Sequence, residues 1–322
     1  ALLAAELEGS TLDGPTLGGS TLDGGTSAAS GLKVMDRPAK IPLSYAQERL
    51  WFLSEMGQGD QYNMPFVFTV KGELRLDILQ QSLDLIINRH ESLRTYFKSE
   101  GGVPFQYFDE HLRIPIRYQR LVDLTPEERT VRVGQVIAQF GQSPFEMEYG
   151  PMARFLVIEM DKHEFIFGIC LHHIISDGWS NTVLVKELSW FYSRLLRGED
   201  TTLPALPVQY IDYTLWQRSH LDDQQMALEL AHWTAHLQGY QDLNLPGDFP
   251  RPDEMTGAGA VLVKKFDQQL SAEIRSYSKH QSVTVFNTLT AAVYILLHTY
   301  SRQEDITVGM PVANRNHSDL ED

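Results

Sequence analysis

A mixed α/β (α+β) fold is what the sequence predicts, and three observations predict it. Short apolar runs with strand character alternate with longer segments whose apolar residues recur at helical spacing. Helix-start signals precede several of the helical segments. Glycine and proline punctuate the joints between them.

Globular sequence begins near Ile41. Ser44-Tyr-Ala-Gln47 has capping-box spacing ahead of Leu50, Phe52 and Leu53, which predicts a helix. Residues 66–70 predict a strand, and Leu76, Leu79, Leu83, Ile86 and Ile87 a second helix. Short strands are expected at 103–108 and 114–119. Thr125-Pro-Glu-Glu128 starts another helix: a Thr cap, Pro at the first helical position and Glu at the third. Residues 152–160 and 164–171 predict two strands joined by Asp161-Lys-His163. After a loop, Val183, Leu184, Leu188, Phe191 and Leu195 mark a helix that Gly198 ends. The proline-punctuated 203–207 marks a lobe boundary. Helices near 210–219 and 222–238, a strand at 260–266, two more helices and a strand at 306–310 complete the chain.

Residues 1–31 differ from everything after them. They contain no aromatic, Lys or Arg, and 15 of the 31 are Gly, Ser or Thr, too polar and flexible a composition for a core. The hexamer 9–14 returns at 19–24, but two copies at a period of ten cannot stack as a solenoid. Residues 1–40 are therefore expected to be an interdomain linker, 41–206 an N-terminal lobe and 207–322 a partial C-terminal lobe; residues 1–8 have the character of the last turns of an upstream helix. The missing start Met suggests a piece of a longer polypeptide.

The chain has 322 residues and a formal charge of -15, with no basic tract, which argues against nucleic acid as a ligand. No apolar run approaches the roughly 20 residues that span a bilayer, so no membrane partner is expected. Cys170 is the single cysteine; an intrachain disulfide is impossible, and a cytoplasmic, reducing setting is expected.

The segment Leu171-His-His-Ile-Ile-Ser-Asp-Gly-Trp-Ser180 leaves an apolar strand and enters a helix, where a rigid scaffold can present polar groups. Adjacent strand residues point to opposite faces, so only one of His172 and His173 can serve a given site. That weighs against a metal centre on the pair, and no other metal-ligand spacing occurs. Cys170 shares a face with His172, which disfavours a Cys170–His173 nucleophilic pair. A histidine free of metal and thiol, near a fixed carboxylate, suits general-base work or amine positioning near neutral pH. Asp177, four residues beyond His173, could bond backbone groups or a distant Arg and hold the loop in shape. Gly178 permits positive φ and close approach of a substrate. The N–H groups that open the following helix could polarise a carbonyl oxygen.

His172-His-Ile-Ile-Ser-Asp-Gly178 resembles the His-His-x-x-x-Asp-Gly signature of the chloramphenicol acetyltransferase-like superfamily. Four further segments resemble core motifs of condensation domains from nonribosomal peptide synthetases, in family order: 43–53, 89–97, 210–217 and 308–315. The resemblance implies a two-lobed fold with an active-site tunnel, its second lobe incomplete because the chain stops after the fifth motif. It implies amide-bond formation between a donor thioester and an acceptor amine, both on 4'-phosphopantetheine arms, with no directly bound cofactor. The implied partners are an upstream donor carrier, a downstream acceptor carrier and an adjacent adenylation domain. It implies that His173 is the central residue and that Asp177 is structural, paired with Arg94. Trp179 and Asn314 are candidates for the tunnel lining, although Trp179, like Trp51, suits core packing and Asn314 suits a turn. The first and third motifs are most similar to those of domains that accept an L-configured donor. The rival expectations are a CoA-dependent acyltransferase of the same superfamily and a catalytically silent docking platform.

Overall fold

The computed structural model describes residues 32–221, 223–250, 259–260, 262–315 and 318–321. The hexamer copies and the expected helix end at 1–8 lie outside the described residues. The described chain falls into two compact units, one up to Gln225 together with the stretch from Ala313, the other Met226–Val312.

The first unit is built on a four-stranded sheet. Its elements in chain order are β1 (Ile41–Pro42), α1 (Tyr45–Leu53), β2 (Asn63–Lys71), α2 (Leu76–Arg89), β3 (Thr95–Glu100), β4 (Val103–Phe108), β5 (Ile116–Arg120), α3 (Pro126–Gln142), β6 (Ala153–Asp161), β7 (Glu164–His172), α4 (Gly178–Arg197) and α5 (Tyr210–His220). The main sheet has the order β2-β7-β6-β5, and a smaller one the order β1-β4-β3. β7 runs antiparallel to both neighbours, with His172 opposite Asn63 and Phe167 opposite Phe68. β5 and β6 are parallel, which requires a crossover, and α3 supplies it.

Strand alternation divides the core in two. Phe165, Phe167, Ile169 and Leu171 of β7 face the core that holds α2 and α4. Cys170 joins Leu156, Ile158, Val136 and Phe140 under α3 on the opposite face. Helix α3 packs close here: a Cβ added at Gly168 would lie 2.9 Å from Phe140 Cε1. The local start signals act as expected. Gln47 N–H donates to Ser44 Oγ at 3.2 Å and Ser44 N–H to Gln47 Oε1 at 2.9 Å. Thr125 and Glu128 form the same reciprocal cap, with Pro126 at the first helical position. Gly198 ends α4 with φ 64°, a left-handed residue that costs glycine little.

Two boundaries differ from those expected. Within the stretch assigned to the linker, Leu32 is buried, Met35 N–H donates to Asp212 Oδ1 at 3.0 Å and Arg37 pairs with Glu91 at 2.9 Å. Helix α5, placed by the sequence in the C-terminal lobe, belongs to the first unit: Tyr210 and Ser44 share a hydrogen bond of 2.9 Å, and Arg218 Nε donates to Leu43 O at 2.8 Å.

The second unit contains α6 (Asp223–His236), α7 (Gln268–His280) and α8 (Val285–Ser301), with α7 and α8 joined by a Ser278–Thr288 hydroxyl contact of 2.8 Å. The strands expected at 260–266 and 306–310 do not form among the described residues. A strand exists only when its N–H and C=O groups find a partner strand, and no other strand is described in this unit. Among the described residues no single helix is long and apolar enough to cross a membrane.

Candidate active site

The site is built where β7 ends. His172 is its last residue and shares the α3 face with Cys170; it is 1% exposed. Its Nδ1 accepts the Ile174 N–H at 3.1 Å, so the ring proton sits on Nε2, which donates to Gly59 O at 3.1 Å. Phe145 meets the ring edge-on at 6.0 Å. Burial pushes the His172 pKa down to about 4; the Gly59 carbonyl opposes the shift, and the charges of His173 and Arg154 add to it. His172 is thus a dry, neutral strut in one tautomer.

His173 is the opposite. It opens the turn after the strand and is exposed. Its N–H donates to Tyr62 O at 2.9 Å. Its imidazole makes no hydrogen bond among the described residues, which leaves both ring nitrogens available. The turn beyond it is closed by Ile175 N–H and Ser176 Oγ, which both donate to His172 O, at 3.1 and 3.2 Å. Cys170 is buried, and burial pushes its thiol pKa up, so it is a poor nucleophile.

Asp177 is the N-cap of α4. Its Oδ1 accepts the Ser180 N–H at 2.8 Å and the Ser180 hydroxyl at 2.7 Å, and Ser180 Oγ in turn accepts the Asp177 N–H at 3.2 Å. The same Oδ1 meets Arg315 Nη2 at 3.2 Å. Burial alone would raise the Asp177 pKa, but the Ser180 hydrogen bonds and the Arg315 charge outweigh it and hold the carboxyl below its ordinary value.

The expected Arg94–Asp177 pair is not formed. Arg94 donates to Ile87 O, Asn88 O and Asp109 O at 3.0, 3.2 and 3.3 Å. Its guanidinium is spent on two carbonyls at the C-terminal end of α2, where a cation also complements the helix dipole, and on one just past β4. The partner of Asp177 is Arg315, in the fifth motif.

Gly178 does not take positive φ; it is the first residue of α4, and a Cβ there would meet nothing within 4 Å. The close-approach expectation therefore keeps its space and loses its backbone argument. Of the first N–H groups of α4, that of Ser180 is consumed by Asp177, and the cap does not use those of Gly178 and Trp179. Trp51 packs against the main core as expected. Trp179 does not: it is 43% exposed, its indole N–H donates to Glu321 O at 2.8 Å, and the Arg315 guanidinium lies 5.8 Å from its ring. Asn314 is a left-handed residue with φ 55°, and its amide donates to Tyr213 Oη at 3.1 Å, as a turn residue would.

Sequence reasoning passed over Arg315 and Ser180 as site residues. Arg315 lies inside the fifth motif, and Ser180 lies two residues beyond the histidine motif. Asp177-x-x-Ser180 has N-cap spacing that was available as a signal. Among the described residues no group of three or more His, Cys, Asp or Glu side chains could hold a metal ion.

The condensation-domain family model matches residues 38–322. The chain belongs to the condensation-domain family. This is the amide-forming acyltransferase family of nonribosomal peptide synthetases, with the chloramphenicol acetyltransferase-like fold. A linear gramicidin synthase polypeptide of Brevibacillus parabrevis is 38% identical over 287 residues, 88% of this chain and 4% of that protein. Bacitracin synthase 2 of Bacillus licheniformis is 34% identical over 91% of this chain and 11% of that protein. The chain thus spans a small fraction of these curated relatives. Among solved structures, a four-domain nonribosomal peptide synthetase bound to AMP and glycine matches with TM-score 0.72 at 21% identity, over 89% of this chain and 21% of that one. The X-domain from teicoplanin biosynthesis, in complex with OxyB, matches with TM-score 0.72 at 22% identity, over 86% and 60%. At these identities the two structures speak for the fold.

Proposed function

We propose that this condensation domain joins a donor acyl or peptidyl thioester to the amino group of an acceptor aminoacyl thioester, with His173 acting on the amine. Both substrates arrive on phosphopantetheine arms of carrier domains, one upstream and one downstream, within a cytoplasmic synthetase that also holds an adenylation domain. The observation that carries this reading is the unequal fate of the two histidines: His172 is committed to structure, and His173 keeps an uncommitted imidazole on a fixed backbone.

The amine nitrogen attacks the thioester carbonyl carbon. The C–N bond forms, the C–S bond breaks, the donor arm leaves as its thiol, and the amine proton passes through His173 to the sulfur. The Gly178 and Trp179 N–H groups, with the positive end of α4, lie in the turn that follows and suit a developing oxyanion. A thioester is already activated, so the demand on the base is modest. General-base catalysis supplies about 10²–10⁴-fold, and holding two tethered reactants together supplies effective molarities of about 10⁵–10⁸ M.

His173→Ala should lower single-turnover transfer between loaded carriers by about 10²-fold or more if the imidazole is the base, with an unchanged melting temperature because the ring is exposed. A wild-type transfer rate would remove His173 from the mechanism.

A further inference from the structure

The first turn of α4 carries a feature that the proposed chemistry does not use. Trp179 is a large indole, 43% exposed, two residues beyond the cap carboxylate. Such a side chain is usually buried or given a partner, and Trp179 has two. Its Nε1–H donates to Glu321 O at 2.8 Å, and its ring lies under the Arg315 guanidinium at 5.8 Å.

Arg315 closes the circuit. Its Nη2 reaches Asp177 Oδ1 at 3.2 Å and Ser180 Oγ at 3.1 Å, and its Nη1 donates to Leu320 O. Among the described residues its buried Nε has no hydrogen-bond partner. A bidentate guanidinium would be held by its carboxylate alone. This one contacts a single carboxylate oxygen through a single nitrogen, so its place depends on what else touches it. The other contacts are the Ser180 hydroxyl, the Trp179 ring and the Leu320 carbonyl. The neighbouring carbonyl, that of Glu321, is held by the Trp179 N–H. Trp179 and Arg315 therefore grip adjacent carbonyls of the short turn Ser318–Leu320 and its continuation from the two sides.

We infer that Trp179 is a positioning residue: it seats Arg315 and residues 318–321 against the Asp177 cap, and through that cap sets how the turn 172–177 presents His173. The inference rests on the proposed role of His173, but the seating of Arg315 can be tested without any reaction.

The test uses this domain with its neighbouring carrier domains attached. Trp179→Ala should increase amide hydrogen exchange across 174–181. It should lower single-turnover transfer at saturating carrier about tenfold, the factor that corresponds to about 1.4 kcal/mol, and leave apparent carrier affinity unchanged. Trp179→Phe keeps an aromatic face for Arg315 and should recover most of the rate. In an Arg315→Ala background, Trp179→Ala should cost little more, because both changes break one circuit. Wild-type exchange in Trp179→Ala overturns the seating. Faster exchange with an unchanged rate overturns the link to His173. Losses that multiply in the double variant, with weakened carrier affinity, make Trp179 a direct substrate contact and also overturn it. Failure of the function itself has a different signature: His173→Ala would then transfer normally while Trp179→Ala still loosened the turn.

Discussion

A buried imidazole that stays neutral makes a protein sensitive to mild acid, and His172 gives that sensitivity a size. Its pKa falls from an unfolded value near 6.5 to about 4 in the folded domain. Between those limits the unfolded chain takes up a proton that the folded state refuses, so stability rises with pH across the window. The contribution is complete above about pH 7.5 and is lost as pH falls: about 2 kcal/mol by pH 5 and about 3 kcal/mol by pH 4. His172→Gln removes the titration. It also leaves the Ile174 N–H without its acceptor, which costs about 1–3 kcal/mol at every pH. Urea unfolding of both proteins at several values between about pH 7.5 and 5 separates the two effects. The variant should start less stable and then lose about 2 kcal/mol less than the wild type on acidification. Parallel curves would refute the neutral-strut assignment, since they would mean that the ring titrates equally in both states.

Four further outcomes follow from the structure. Asp177→Ala removes an N-cap worth about 0.5–2 kcal/mol and a half-exposed ion pair worth up to about 1 kcal/mol; Asp177→Asn keeps the cap, so thermal melts should rank Ala well below Asn. Because the Asp177 pKa is lowered by folding, its stabilisation is present above the ordinary aspartate range and lost as pH falls from that range through the lower folded-state pKa; this acid limb should flatten in Asp177→Asn. Glu187→Ala should cost about 3–5 kcal/mol, because it strands Arg89 at 2.8 Å and His90 at 2.7 Å without their buried carboxylate; a loss below 1 kcal/mol in denaturant unfolding would contradict this. Gly168→Ala should cost about 1–3 kcal/mol by overpacking against Phe140, with a neutral result refuting the close approach of α3 to β7.

What the sequence made legible was local. The caps at Ser44 and Thr125, the αL residue at Gly198 and the alternation that parts His172 from His173 each depend on a few neighbouring residues, and each is present. The partner of Asp177 was not legible in the same way. Arg94 and Arg315 are both arginines in matched motifs, and nothing within a few residues of either says which reaches across the chain; Arg315 does so from 138 residues away. Arg94 is withdrawn by a fact of helix geometry, the unpaired carbonyls at the end of α2, that the motif RHESLR does not announce. The strands expected at 260–266 and 306–310 failed for a related reason: apolar β-branched residues create the tendency, but pairing creates the strand.

The two adjacent histidines now have a physical reason to be adjacent. A base that exchanges protons with a substrate must be wet and able to take either charge state. A residue that fixes the base's backbone must be dry and held to one state, or it would let go when the medium changes. The end of a strand delivers both environments in consecutive positions: His172, the last residue of β7, is buried, and His173 opens the exposed turn that follows. Here the same short connection ahead of β2 receives both: the His172 ring holds Gly59 O and the His173 N–H holds Tyr62 O. One histidine thus anchors by side chain and the next by main chain, and only the second keeps its imidazole. Shifting β7 by one residue against β2 and β6 would move the His172 ring off the α3 face and away from Gly59 O. The register that places Asn63 opposite His172 is therefore as much a part of the site as the imidazole itself.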